Sequence, residues 1–408
     1  MLRVALLVGF LSAALAAAVA RSSDRATADR PDEALGPQIH AVYAVPSDRP
    51  DQGLDTAGVV GAWLNDFNDW LAAQSGGTRL RLDTFQGQPD VTFIRLAETD
   101  ATLTAEGSSA NQTIFDELQS HGLNDPNKKY VVVEQGGNNG ACGWGGAIAV
   151  MYIEANPPGY TCQISWAMLV GHEIFHMLGA VNACAPHHTS DNHVSDPDDL
   201  MAHFLPTSPV LDPGHDDYWG PPGDDHLPSN CPASANVANS VYLTSHPFHR
   251  LSVTIAGKGS VNVYPPDGPG LDCSSPCAVE EGAQYTLTAD PDPHFHFAGW
   301  TGTGCSGTES CSLTVTGDTA LTATFVPDPF VSFRVKGKGR IAVAGVGTCA
   351  KAACRLQLQY GERTPVHATA TAGWRFVGWA GACRGTKPTC SVTATRSATV
   401  TASFARRR

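Results

Sequence analysis

Apolar positions in this chain shift their period from segment to segment, and the shifts mark out its parts. Residues 4–17 are apolar apart from Ser12, behind a single Arg3 and followed by Ala18-Val19-Ala20 and the polar Arg21-Ser22-Ser23. A positive start, a short apolar stretch and an A-x-A site predict an export signal over residues 1–20. The stretch is short for a bilayer span, and no later one is apolar enough to replace it. We therefore expect a secreted or surface-held mature chain without a transmembrane span. Residues 21–37 are polar, charged and aperiodic, which predicts a disordered lead.

Regular patterns begin at Gln38. Residues 39–45 read as a strand, and residues 59–73 place Val60, Trp63, Leu64, Phe67, Trp70 and Leu71 at helical spacing. Further strands are expected over residues 80–85, 91–96 and 129–134, and a helix near residues 111–121. The glycine-rich residues 136–146 carry no phosphate-binding fingerprint and read as a surface loop leading into a strand over residues 147–153. Next comes a helix with Trp166, Leu169, Val170, Ile174, Phe175 and Leu178 on its apolar side, and Gly179 is placed to end it.

That helix contains His172-Glu173-Ile174-Phe175-His176. At about 100° per residue the two histidines lie one above the other on one face, so both imidazoles can share a metal ion while Glu173 reaches its open side. With Gly179 behind it and Asp199-Leu200-Met201 downstream, the segment resembles the metzincin metallopeptidases, whose pattern is HExxHxxGxxH followed by a methionine turn. The resemblance implies an α+β zincin-like metalloprotease domain over residues 38–249 and a Zn2+ cofactor held by His172 and His176. It further implies Glu173 as the catalytic base, Met201 in the methionine turn, and a protein or peptide substrate aligned on the strand preceding the helix. A catalytic zinc usually has three protein ligands. Where the family places its third histidine this chain has Asn182, a poor zinc ligand. His187 ranks first as a replacement because Pro186 stiffens its approach, His193 second and Asn182 last. Histidines left over can support a ligand or a substrate oxyanion, and His203 falls near the place of a metal-facing tyrosine in some metzincins.

Two other functions stay open on these residues. Asn182 allows a catalytically inactive zincin-like cell-surface binding protein, and an amidase or esterase would use the same zinc chemistry on a different bond.

Twelve cysteines fall four to the first domain and four to each of two later segments, which predicts disulfides closed within each part in an oxidising compartment. Cys142 with Cys162 and Cys184 with Cys231 are plausible pairs. Asp216, Asp217, Asp224 and Asp225 read as a solvated loop, since no EF-hand spacing surrounds them.

The tail repeats itself. Gly257-Lys258-Gly259, Gly299-Trp300 and Thr324-Phe325 recur as Gly337-Lys338-Gly339, Gly378-Trp379 and Ser403-Phe404. Both copies alternate like strands, so residues 250–329 and 330–408 should be two small all-β modules. They resemble divergent internalin-type bacterial repeats. Trp300 and Trp379 read as core or as sugar-stacking residues, with core favoured by one tryptophan per strand pattern. From Val331 onward there are 14 Lys/Arg and one acid, Glu362, while the whole chain has 26 and 39, so the last module is near +13 and the remainder near −26. A field of that size attracts polyanions, such as an anionic cell-wall polymer or polysaccharide at residues 331–408, with no motif for sequence-specific nucleic acid. No Lys or Arg lies between Lys129 and Arg250, so the zinc segment should sit in an acidic surround that disfavours acidic substrates.

Overall fold

The computed structural model describes residues 25–137, 141–155, 162, 165–266 and 269–407. The expected export signal lies outside them. The structure is predominantly β with few helices, and it divides into two compact units between Ser245 and His246. Among the described residues no helix is long and apolar enough to cross a membrane.

In the first unit the elements run β1 Gln38–Val45, α1 Val59–Ser75, the short hairpin β2 Thr84–Phe85 and β3 Gln88–Pro89, then β4 Val91–Arg95, α2 Asp100–Glu106 and α3 Ala110–Ser120. They continue with β5 Lys128–Glu134, β6 Gly143–Gly145, β7 Ala149–Tyr152 and α4 Trp166–Leu178. One sheet has the order β4-β1-β5-β7-β6, parallel except for β6, which runs antiparallel to β7 at the edge. Strand β1 is buried along its whole length because it feeds two cores. Ala41, Tyr43 and Val45 pack with Leu64 and Phe67 of α1 and Phe175 of α4. Val42 and Ala44 pack on the opposite face with Leu103, Ile114 and Leu118 of α2 and α3. Burial on both faces is why its sequence reads as a nearly continuous apolar run. Gly171 lets α4 approach α1, since a Cβ there would fall 1.9 Å from the Phe67 ring.

Two expectations change and one helix is unforeseen. Residues 80–83 form isolated bridges rather than a strand, although Leu80 and Leu82 are buried. Helix α2, a seven-residue element capped by Thr99 accepting from the Thr102 amide, is too short to show a period. The lead is not disordered over residues 25–37. Arg25 pairs with Asp51 and Asp55, Arg30 with Asp90, and the Lys128 ammonium lies 2.7 Å from Asp29 and 2.6 Å from Asp32. Lys128 also meets the fully buried Asp83 at 2.7 Å, which in turn faces His40 Nδ1 at 2.6 Å. The lead looks solvated in isolation because its charges find complements only on the folded domain.

The second unit holds two β modules of one design. The first comprises β8 Phe248–Ala256, β9 Gly259–Tyr264, β10 Cys277–Glu280, β11 Gln284–Pro291, β12 Phe295–Gly302, β13 Cys311–Thr314 and β14 Thr319–Pro327. The second comprises β15 Phe330–Lys336, β16 Gly339–Val343, β17 Gly347–Cys349, β18 Ala353–Gln357, β19 Arg363–Ala370, β20 Trp374–Gly381, β21 Thr389–Thr393 and β22 Ala398–Arg406. Sheet β10-β8-β14-β12 corresponds to β18-β15-β22-β20, with the first and last strands of each module paired in parallel. Both modules carry a bulge before the tryptophan, at Phe297/Gly299 and Phe376/Gly378. Trp300 and Trp379 are core residues, 3% and 7% exposed, and each indole N–H donates to a backbone carbonyl, of Glu309 or Lys387. Six disulfides close within single modules, including Cys142–Cys162 and Cys184–Cys231, and no cysteine is free.

The lead clamp and one buried acid give two stability expectations. Lys128→Met should cost about 3–5 kcal/mol, because it leaves Asp83 buried beside the lead without its cation; denaturant unfolding of both proteins measures it. Glu134, at the end of β5, is raised to about 9 by burial and by Asp100 and Glu154 nearby. A raised acid makes the folded state bind more protons than the unfolded one, so stability falls as pH rises from about 4.5 towards 9. Glu134→Gln should therefore gain stability over the wild type increasingly from pH 5 to pH 8, and parallel curves would contradict this.

Candidate metal centre

Helix α4 starts cleanly because the Ser165 hydroxyl accepts from the Met168 amide at 3.3 Å. It stops at Gly179, whose φ of 112° turns the chain back on itself. That reversal sets the Ala180 carbonyl 2.7 Å from His176 Nδ1. The Leu200 carbonyl lies 2.7 Å from His172 Nδ1. A carbonyl only accepts, so both rings donate from Nδ1 and turn their Nε2 lone pairs the other way.

A third imidazole meets them. His193 Nε2 lies 3.3 Å from His172 Nε2 and 3.4 Å from His176 Nε2, and the latter two are 3.1 Å apart. Burial, joined by the neighbouring imidazoles, holds His172 well below its ordinary range and His176 down at about 4, and burial also lowers His193. All three rings are thus neutral near pH 7. Lone pairs so placed repel one another unless a cation lies between them. Ligands set tetrahedrally about 2.0–2.1 Å from zinc stand roughly 3.3–3.4 Å apart, which is the spacing of this trio. The residues fit a metal ion.

The downstream chain folds around these rings. The turn containing Asp199, Leu200 and Met201 supplies the Leu200 carbonyl to His172 and the Met201 carbonyl to the Val194 amide at 3.0 Å, so one turn positions two of the three histidines. Met201 is fully buried, and Asp199 braces the turn by accepting from the Met201 amide and the Tyr218 hydroxyl. Asp191 stands 3.5 Å from His193 Nδ1 and pairs with His203 Nδ1. The Thr189 hydroxyl holds Asp191 down at about 2, against the opposing effect of burial.

His187, ranked first for the third place, is elsewhere. Its Nδ1 lies 2.9 Å from Asp217, its side chain is half exposed, and the Asp217 hydrogen bond raises its pKa. Pro186 does not aim it at the helix, because buried Asp217 binds both its ring and its amide. The same contact shows that Asp217 is not part of a solvated loop. Asn182 accepts from the Cys184 amide and stands outside the trio.

Glu173 is buried, and burial raises its carboxyl to about 8. It faces the wall of a cavity of about 640 Å³ that also exposes His172, His176, His193 and His203. That wall is β6, inside the segment expected to be a plain surface loop. The edge strand is therefore β6 and not the strand of residues 147–153, whose observed part, β7, is internal to the sheet. Two glycines allow it. A Cβ on Gly143 would fall 2.5 Å from Glu173 Oε1, and one on Gly145 would fall 2.2 Å from His176 Cβ. Gly-x-Gly beside a cysteine was the signal in the sequence, and Cys142–Cys162 pins the start of β6 next to the approach to α4.

Residues 250–329 and 341–408 match the family described as the divergent InlB B-repeat domain. No curated protein matches the chain. Among solved structures, wild type OgpA from Akkermansia muciniphila overlaps at 13% identity and a TM-score of 0.31, over 74% of this chain and 86% of its own. A catalytic inactive OgpA in complex with an O-glycopeptide substrate overlaps at 12% identity and a TM-score of 0.30, over 94% and 98%. The pilus adhesin SpaC from Lactobacillus rhamnosus GG gives 10% identity and a TM-score of 0.18, over 39% and 31%. Overlaps this loose fix neither fold nor function.

The geometry makes His193 and His187 separable by metal content. His193→Ala should lose stoichiometric zinc after dialysis, while His187→Ala should keep it, as measured by elemental analysis of the purified proteins. Retention by His193→Ala with loss by His187→Ala would reverse the assignment.

Proposed function

We propose that the chain is a secreted zinc-dependent metallopeptidase of metzincin-like type, with a zincin-like catalytic domain carried on two β modules. The basic module holds it at an anionic surface. The observation that carries this reading is the convergence of the Nε2 atoms of His172, His176 and His193 beside Glu173 in one cavity. These three histidines would hold the ion. Zinc bound there supplies a Lewis acid, which polarises a carbonyl and brings the pKa of water from about 15.7 towards neutrality.

The protein's own groups do the rest. A cation on the imidazoles would favour the ionised form of Glu173 against the effect of burial, and its carboxylate would then take a proton from water and pass it to the leaving amine. Among the described residues β6 pairs only with β7, and an extended peptide would add to its other edge by main-chain hydrogen bonds. His203, fixed by Asp191 at the cavity wall, is placed to donate to substrate oxygen. The absence of Lys and Arg from residues 130–249 leaves the substrate in an acidic surround.

Asn182 favoured an inactive zincin-like binding protein, on the premise that the third ligand was missing. With His193 beside the helix pair, that premise loses its support.

Glu173→Gln should lower cleavage of an unfolded protein substrate by about 10²–10⁴-fold, the usual reach of a general base, while zinc stays bound. Equal cleavage by both proteins would sink the assignment of Glu173. Among peptides of equal length, cationic or neutral ones should be cut faster than acidic ones, and the reverse order would contradict the electrostatic argument.

A further inference from the structure

The two β modules share a fold and register but not a charge. Residues 250–329 contain two Lys/Arg against nine Asp/Glu, whereas Val331 onward has 14 against one. Because the sheets β10-β8-β14-β12 and β18-β15-β22-β20 share strand order and register, the register shows where the added cations stand.

In the sheet β18-β15-β22-β20, Val331, Phe333 and Val335 of β15 and Val400, Ala402 and Phe404 of β22 point into the core. The alternate residues form the outer face. Across it the ladders pair Arg355 with Ser332 and Ser332 with Thr399, then Arg334 with Thr401, then Lys336 with Ser403, then Ala405 with Arg375. Each successive row therefore carries one cation, and rows on a strand face lie about 6.7 Å apart. Arg334, Lys336, Arg355 and Arg375 are all exposed, and among the described residues none has an acidic partner. By register the first module has Thr254, Ala256 and His296 where the second has Arg334, Lys336 and Arg375.

The opposite sheet is a weaker candidate. It carries a shallow cavity of about 560 Å³ beside Arg363 and His367. Its arginines, Arg340 opposite Thr369 and Arg363 opposite Thr393, stand at the two ends of the ladder, and Glu362, the module's lone acid, adjoins Arg363.

We infer that the outer face of β18-β15-β22-β20 binds an acidic polysaccharide laid along its rows of cations and hydroxyls. This rests on the anionic tether proposed above and assigns it to one face. Arginine forks match carboxylate or sulfate groups, and Ser332, Thr399, Thr401 and Ser403 offer hydrogen bonds to sugar hydroxyls. Single-stranded nucleic acid is bound on open aromatic platforms, and the one outward ring beside these rows, Phe330, is covered by the Arg355 guanidinium 4.1 Å from its centroid. A lipid surface needs an apolar insert, and Val377 is the one large apolar residue exposed there, at 40%.

The test measures binding of the full mature chain to immobilised polygalacturonate, with dextran sulfate and single-stranded DNA alongside. The variant R334T/K336A/R375H takes the residues that the first module carries at the same places, and R340S/R363Q/K387Q removes as many charges elsewhere. The face variant should bind polygalacturonate at least about tenfold more weakly at low salt, the gap narrowing as salt rises. The control should change by less than about threefold, with peptidase activity and melting temperature of both variants unchanged. If the triple variant melts early, Arg334→Thr alone should still weaken binding measurably. Equal weakening in both triple variants overturns the face and leaves the tether standing. A wild type that binds neither glycan overturns the tether and the face together. Tighter binding to DNA than to either glycan overturns the polysaccharide.

Discussion

Everything at the candidate centre depends on two backbone carbonyls accepting from the outer nitrogens of two helical histidines. Ala180 and Leu200 hold the His176 and His172 rings so that their Nε2 lone pairs face a common point. Without those contacts each imidazole could flip or rotate, and two histidines four residues apart on a helix would be only a possible pair of ligands. Both carbonyls lie beyond the helix end, so the Gly179 reversal and the turn containing Leu200 are as necessary to the site as the histidines. The turn at Met201 then spends its other carbonyl on Val194, which brings His193 to the same point.

Close approach is the second constraint, and it explains the glycines that matter. Gly171 lets α4 lie against α1, and Gly143 and Gly145 let the edge strand lie against Glu173 and His176. Helix α4 is thereby gripped between a hydrophobic neighbour and a bare backbone. The result is a cavity lined by the acid and the imidazoles of α4 and by β6, the last strand of the sheet. An acidic, arginine-free surround gives this region a field opposite to that of the last module.

The tail shows how one scaffold takes two electrostatic characters. Tryptophan burial, the bulge before it and the disulfides recur in both modules, because they build the core. The outward positions of the strands point away from the core and are freer to change. In the second module they became cationic without disturbing the fold, which is why its charge reads as a surface property.

The sequence by itself determined the elements and the chemistry that depend on local spacing. Helical period placed His172 and His176 on one face, short apolar runs marked β1 and β5, and repetition of Gly-Lys-Gly and Gly-Trp marked two like modules. Cys142–Cys162 and Cys184–Cys231 were candidate pairs only, since four cysteines allow three connectivities, and the fold decided among them. Only the tertiary structure decided between His187, His193 and Asn182, since loop histidines carry no period. Buried Asp217, thirty residues beyond His187, takes that ring away, and the Met201 carbonyl brings His193 in. The edge strand was hidden for a similar reason, because Gly143–Gly145 becomes a strand only by pairing with β7. The lead at residues 25–37 was misread because its charges are matched by Asp51, Asp55, Asp90 and Lys128, and such partners exist only once the domain has folded.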